Sequence, residues 1–236
     1  MTSPGGAPAA AGWADVVLMS DGAVTSVGVH ESGAPLVDVE SAAGVVAFTG
    51  DTVAGRQLRG PVLDRLAEAN AALPRDLRIA LNEGYRTPQL QRFYFERYAA
   101  RLAAEHPHAD TATVHRLASR FISPPEVAPH TAGAAVDVVL TTVEGDPLDV
   151  GCPIDASPED SGGRCYTAHP DVKGEAATLR RELVRAMSGA GLVNYPTEWW
   201  HWSFGDRYWA MVTGARSALF GTIEFADPAG SLGTTG

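Results

Sequence analysis

Apolar positions along the chain recur at helical spacing in some stretches and cluster or alternate as strands in others. Val62, Leu63, Leu66 and Ala69 predict a helix over 60–73, stopped by Pro74, and Leu77–Leu81 alternates as a strand. Thr87 is a good N-cap and Pro88 suits the first helical position, so a second helix starts there. Its apolar stripe reads as Leu90, Phe93, Tyr94 and Leu102, and it ends near His106-Pro107. A shorter helix is expected over 111–121, and another over 175–187 with Leu179, Leu183, Val184 and Met187 inward. Two β-branched runs flanking Ser20-Asp21-Gly22 within 16–29 read as a hairpin. Strands are further expected at 36–39, at 133–142 around Val136, Val138 and Val139, and along the aromatic run 195–204. Residues 144–171 form a long irregular stretch, which inside a compact domain is usually functional or disordered. Strands and helices mix without a regular βαβ alternation, so the class is α+β.

Length adds that 236 residues suit one domain. Residues 1–12, rich in Ala, Gly and Pro, read as a flexible leader, 13–226 as the domain and 227–236 as a polar, Gly-rich tail. The first residues lack the positive start and apolar block of a signal peptide, so a cytoplasmic location is expected, and no apolar run is long enough to span a bilayer. The 18 Lys and Arg stand against 28 Asp and Glu, a net charge of −10, and no basic run concentrates the cations. Nucleic acid and anionic membranes are therefore unexpected partners. Cys152 and Cys165 read as two reduced thiols or, in an oxidising compartment, as a local disulfide closing a short loop.

Candidate chemistry concentrates in two segments. Pro129-His130-Thr131-Ala132-Gly133-Ala134-Ala135-Val136-Asp137 places a histidine in a turn and an aspartate inside an apolar strand. Such a carboxylate is costly to bury without a cation or a metal, although an ordinary ion pair would also satisfy it. The odd spacing puts the two side chains on opposite faces of a regular strand, so His130 must fold back from the preceding turn if both bind one ion. Glu198-Trp199-Trp200-His201-Trp202 sets a glutamate in an apolar frame, where desolvation raises its pKa and suits a general base. Glu198 and His201 share one side only if the backbone turns near the glutamate. Two histidines and an aspartate with an open fourth position are the ligand set of a catalytic zinc, with Glu198 spare to take a proton. Each imidazole is expected to donate its other N–H to a carbonyl or carboxylate. Arg86, in Glu83-Gly84-Tyr85-Arg86-Thr87-Pro88, leaves a strand end before a helix start, where it could stabilise an oxyanion. By contrast, His106-Pro107-His108-Ala109-Asp110 and His115 read as solvated surface residues.

Gly84-Tyr85-Arg86, the run from His130 to Asp137, and Glu198-Trp199-Trp200-His201 stand in the order found in the zinc D-alanyl-D-alanine dipeptidases, including those of vancomycin resistance (VanX-like). The chain resembles that family over roughly 37–209. The resemblance implies a Hedgehog/D,D-peptidase-type α+β fold, with a small antiparallel sheet flanked by helices. It also implies one zinc per chain on His130, Asp137 and His201, Glu198 as general base, and Arg86 at the oxyanion. The stretch 148–155 resembles the loop whose final aspartate, here Asp155, pairs with the ammonium of a small dipeptide substrate. Departures are Ala128, where a serine often stands, Ala42 in place of a tyrosine, the reduced run Ala47-Phe48-Thr49-Gly50, and Cys152 in place of a small hydroxyl residue. Those at Ala128 and in the N-terminal stretch, Ala42 with Ala47-Phe48-Thr49-Gly50, are expected to touch substrate pockets. Alternative readings are a peptidoglycan D,D- or L,D-carboxypeptidase of the same fold, and a zinc-containing binding domain without catalysis.

Overall fold

The computed structural model describes residues 16–42, 44–48 and 52–225. The expected leader 1–12, the expected tail 227–236 and Thr49-Gly50 lie outside the described residues. A five-stranded sheet in the order β2-β4-β5-β7-β6 forms the centre: β2 (Val46–Ala47), β4 (Leu77–Glu83), β5 (Ala135–Thr142), β6 (Val193–Asn194) and β7 (His201–Ser203). All neighbouring pairs are antiparallel except β2–β4, which is parallel. A separate antiparallel ribbon joins β1 (Leu36–Asp38) to β3 (Gln57–Arg59).

Helices α2 (Gly60–Ala72) and α6 (Gly174–Gly189) pack against each other, and their apolar stripes enter the main core with the sheet. In α2 the buried residues are Val62, Leu63, Leu66 and Ala69, as the periodicity predicts. In α6 Leu179, Leu183, Ala186 and Met187 face inward, Val184 is half-buried, and Arg180 is buried among them. Helices α3 (Pro88–Glu105) and α4 (Thr111–Ala118) make a smaller cluster through Phe95, Tyr98, Leu102, Val114 and Ala118. Short helices α1 (Gly22–Thr25), α5 (Pro158–Ser161) and α7 (Arg207–Thr213) complete the α+β arrangement. No described helix is long and apolar enough to cross a membrane.

Four local expectations are corrected. Around Ser20-Asp21-Gly22 there is no hairpin but α1: the Asp21 carboxylate accepts from Leu18 N, while Met19 N and Ser20 N donate to Tyr195 Oη and Ser119 Oγ. Side chains thus take the backbone donors that a partner strand would have used. In α3 the buried face is Gln91, Phe95, Tyr98 and Leu102, whereas Leu90 and Phe93 are exposed. The glutamine sets that phase, because its amide is needed inside. Of the run 195–204 only His201–Ser203 is a strand, since Glu198 N donates to Tyr195 O across a turn that contains Pro196, and His201 N donates to Glu198 O in the next one. The stretch 144–171 is irregular as expected, apart from the single turn of α5, which the Ser157 hydroxyl caps. His115 is also less solvated than expected, its ring standing edge-on to Phe95 at 4.9 Å. Both cysteines are free and buried.

Candidate active site

Strand register lines up the first part of the site. Glu83 of β4 stands opposite Asp137 of β5, which stands opposite His201 of β7. Directly opposed residues of antiparallel strands share a face, so three polar side chains cross the sheet in one row. Asp137 Oδ1 lies 3.0 Å from His201 Nδ1.

His130 joins them from a 3-10 turn, Pro129–Ala132, placed before β5. Gly133 closes this turn at φ +64, and a Cβ there would sit 2.4 Å from Leu36 Cδ2. The conformation asks for glycine, while the Leu36 side-chain tip can swing aside. Buried Arg59 clamps the turn, its Nε donating to Ala132 O at 2.8 Å and its backbone N to Gly133 O at 2.9 Å. The chain therefore folds back as the odd spacing requires. His130 Nε2 comes within 3.1 Å of His201 Nδ1 and 3.3 Å of Asp137 Oδ2.

One ligand atom from each of His130, Asp137 and His201 lies within 4.8 Å of the others, and all three residues are buried. His130 Nδ1–H donates to Gly84 O at 2.6 Å, which leaves the Nε2 lone pair facing the cluster. His201 turns Nδ1 inward, and its buried Nε2 has no hydrogen-bond partner among the described residues, contrary to expectation. Burial lowers the His201 pKa, while that of His130 is raised because Asp137 outweighs its burial. Although burial opposes it, the two imidazoles hold the Asp137 carboxyl far below its ordinary range. Two imidazoles and an ionised carboxylate converging in a dry site are a donor set that fits a divalent metal ion.

Glu198 stands beside this set, 5% exposed, with Oε2 3.7 Å from His201 Nδ1. Burial, then the charges of Asp137 and Asp155, push its carboxyl well above the usual carboxylate range. The turn at 195–201 is what brings Glu198 and His201 to one side.

Arg86 lines the same pocket. Of its five N–H bonds, three are committed: Nε and Nη2 to the two oxygens of Glu83, and Nη1 to Gln91 Oε1 at 2.9 Å. One N–H on each terminal nitrogen remains. The Glu83 pairing, against burial, keeps the guanidinium firmly protonated. Gln91 in turn donates to Ser123 O at 2.7 Å.

Asp155 reaches the pocket from the loop between β5 and α5, and it is the sole described non-glycine residue at positive φ (+61). Its carboxylate is 3.5 Å from Asn82 Nδ2. Exposed on one side, it is still pushed up to about 6 by desolvation at the pocket wall and by the charges of Asp137 and Glu83. Phe121, Ile122, Ser123 and Trp200 supply the remaining wall.

The structure thus brings together all six residues singled out in the sequence. It adds Glu83 and Gln91, which hold Arg86, and the Gly84 carbonyl, which holds His130. Glu83 could have been suspected as an acid three residues before an arginine. Gln91 gave the only other signal, a polar residue one turn after the Thr87 cap. Neither Ala128 nor Ala42 lines this pocket, so those departures lie outside it. His106 and His108 stay exposed on the surface, and Asp110 caps α4 by accepting from Thr113 N.

Among relatives, a D-alanyl-D-alanine dipeptidase of Synechocystis sp. is 29% identical over 198 residues, 71% of this chain and 79% of that protein. A D-alanyl-D-alanine dipeptidase of Escherichia coli is 36% identical over 72 residues, 30% of this chain and 35% of that protein. Among solved structures, VanYB in complex with D-alanine-D-alanine superposes with a TM-score of 0.41 at 15% identity, covering 69% of this chain and 81% of that one. Residues 64–214, well over half of the chain, match the D-ala-D-ala dipeptidase family Peptidase_M15, and the chain belongs to that family of metallopeptidases.

Proposed function

We propose that the protein is a zinc-dependent dipeptidase hydrolysing D-Ala-D-Ala or a close relative, with zinc held by His130, Asp137 and His201. The observation that carries this reading is the convergence of those three ligand atoms beside a buried glutamate that binds none of them tightly. Membership of the D-ala-D-ala dipeptidase family supports the substrate class. When bound, zinc supplies a Lewis acid that makes water nucleophilic near neutral pH. Glu198 takes the proton of the attacking water and returns it to the leaving amine. A carboxyl raised toward neutrality is suited to both transfers. Arg86 offers its two uncommitted N–H bonds to the oxygen on which negative charge develops, pre-aimed by Glu83 and Gln91. Asp155 faces the substrate ammonium, whose charge its carboxylate balances.

Zinc-loaded parent and Glu198→Gln test the reading against D-Ala-D-Ala, L-Ala-L-Ala and N-acetyl-D-Ala-D-Ala. The parent is expected to cleave the free D,D-dipeptide and reject the blocked one. Glu198→Gln should keep stoichiometric zinc and lose turnover by about 10²-fold or more. Parent-like turnover in that variant would remove Glu198 as the base. Equal cleavage of free and blocked dipeptides would point instead to a carboxypeptidase.

A further inference from the structure

Arg180 projects from α6 into the core at 3% exposure, yet it pairs with no carboxylate among the described residues. Its guanidinium is instead spent on backbone carbonyls: Nε donates to Val150 O at 2.8 Å, Nη2 to Arg164 O at 2.8 Å, and Nη1 to Tyr166 O at 2.7 Å and Thr167 O at 3.3 Å. Burial draws its pKa down to about 10, a sign of how poorly the charge is compensated. A leucine or methionine would fill an apolar core at less cost. What the arginine alone can do is hold several carbonyls at once in a fixed fork.

Those carbonyls lie at the two ends of one loop. Val150 starts the segment that carries Asp155, and Arg164, Tyr166 and Thr167 end it. The far end is stitched directly to the catalytic turn. Thr167 N donates to Pro196 O at 3.0 Å, Trp199 N to Cys165 O at 2.9 Å, and Thr167 Oγ1 to Asn194 Oδ1 at 2.6 Å. Asn194 Nδ2 then donates to Glu198 O at 2.9 Å and His201 O at 3.0 Å. The guanidinium also sits 5.8 Å from the Trp199 ring. Midway along the loop, Glu159 is held by Tyr98 Oη and by Arg120. Between these anchors Asp155 keeps a left-handed backbone, which for a residue with a Cβ persists only where the surroundings fix it.

We infer that Arg180 is a positioning residue that fixes Asp155 relative to Glu198, and so sets the length of substrate that fits between ammonium and scissile bond. This rests on the role proposed above for Asp155. The clamp acts as a ruler: with it, one residue spans from the carboxylate to the reacting centre. Without it, Asp155 wanders and the demand for a free amine weakens.

The test compares kcat and KM for free and N-acetylated D-Ala-D-Ala on the zinc-loaded parent, Arg180→Lys and Arg180→Met. Zinc content and thermal midpoint are measured alongside. A misplacement of about 1 Å can cost on the order of 10²-fold, so the free-to-blocked ratio of kcat/KM should fall at least about tenfold. The fall should be carried by KM for the free dipeptide, with zinc retained. If Arg180→Met does not fold, Arg180→Lys and Tyr98→Phe, which loosens Glu159, decide the matter in the same direction. A purely structural arginine would lower both substrates together and leave the ratio at the parent value, and that result overturns the inference. Adding Asp155→Asn supplies a second check, since Arg180→Lys should then cost the free dipeptide little more. A parent that cleaves both substrates equally overturns the Asp155 role and this inference with it. A parent that discriminates, with variants that discriminate as well, overturns this inference alone.

Discussion

Gly84→Ala separates the geometry of the metal set from the stability of the fold. Gly84 follows β4 directly and lies against the 55–57 backbone, with its N donating to Gly55 O at 2.7 Å and Tyr85 N to Gln57 O at 2.8 Å. A Cβ at this position would lie 2.6 Å from Gln57 O and 3.0 Å from Gly55 O. Both are backbone atoms and cannot swing away, so the strand end must move. Overpacking of this kind costs about 1–3 kcal/mol. The same displacement carries the Gly84 carbonyl away from His130 Nδ1, now 2.6 Å distant, and frees the ring to rotate or change tautomer. Losing such a partner of a ligating histidine typically weakens metal binding by about 10- to 100-fold. The assay is competition for zinc with a chromophoric chelator, paired with urea unfolding of the metal-free protein. Leu66→Ala is the control. Leu66 is fully buried in α2, outside the pocket, and its truncation should cost about 2–5 kcal/mol while leaving zinc affinity at the parent value. Parent-like zinc affinity in Gly84→Ala, or equal weakening by Leu66→Ala, would refute the role of this carbonyl.

Two further outcomes follow from the same site. Arg59→Met should strand Ala132 O and Ala34 O without their donor and release the turn that carries His130, lowering stability by at least ~2 kcal/mol and the thermal midpoint by about 4–8 °C; an unchanged midpoint would show that the clamp is dispensable. The Asp155 carboxyl rises from 3.8 to about 6 on folding, so the folded, metal-free protein binds this proton more tightly than the unfolded chain does. Its contribution to stability therefore falls as pH rises through that window. Urea midpoints of metal-free parent at pH 4 and 7 should drop more than those of Asp155→Asn, and identical slopes would place Asp155 in an ordinary solvated setting.

The parts of the site that could be read from the sequence are those carried by short local runs. His130, Asp137, Glu198 and His201 come from two segments whose residue types already conflict with an ordinary core, and the conflict is the signal. The required back-turn at His130 and the bend at Glu198 could be stated in advance because side-chain direction in a strand has a fixed period. What could not be read depends on contacts between distant segments. Gln91 faces inward because Arg86 and Ser123 need its amide, and that single demand rotates the α3 stripe away from Leu90 and Phe93. Likewise Ser20-Asp21-Gly22 looks like a hairpin turn until Tyr195 and Ser119, more than ninety residues away, take its backbone donors. Nothing in the local sequence marks Arg180; only the fold shows four carbonyls gathered around it.

Charge balance in the pocket ties the metal set to the substrate. Glu83 and Arg86 neutralise each other, which leaves Asp137, Glu198 and Asp155 facing two imidazoles and no other cation among the lining residues. Three carboxylates so close cannot all stay ionised in a partly dry site. Without added positive charge the strain appears as raised pKa values at Glu198 and Asp155, while Asp137 keeps its charge by leaning on both histidines. A divalent ion would bring two positive charges to the metal set, and the substrate ammonium would bring one to Asp155, while the dipeptide's own carboxylate lies at its other end. Acetylating the amine removes the ammonium charge and leaves Asp155 uncompensated. On the proposed reading, a preference for a free amine would be a consequence of the same electrostatics that would hold the metal. The two should then be coupled: zinc on Asp137 should offset one of the charges that raise the Asp155 carboxyl, ready it for the ammonium, and so tighten binding of the free dipeptide beyond its contacts with the metal set alone. An Asp155 carboxyl that titrates at the same pH with and without zinc, followed by NMR, would break that link.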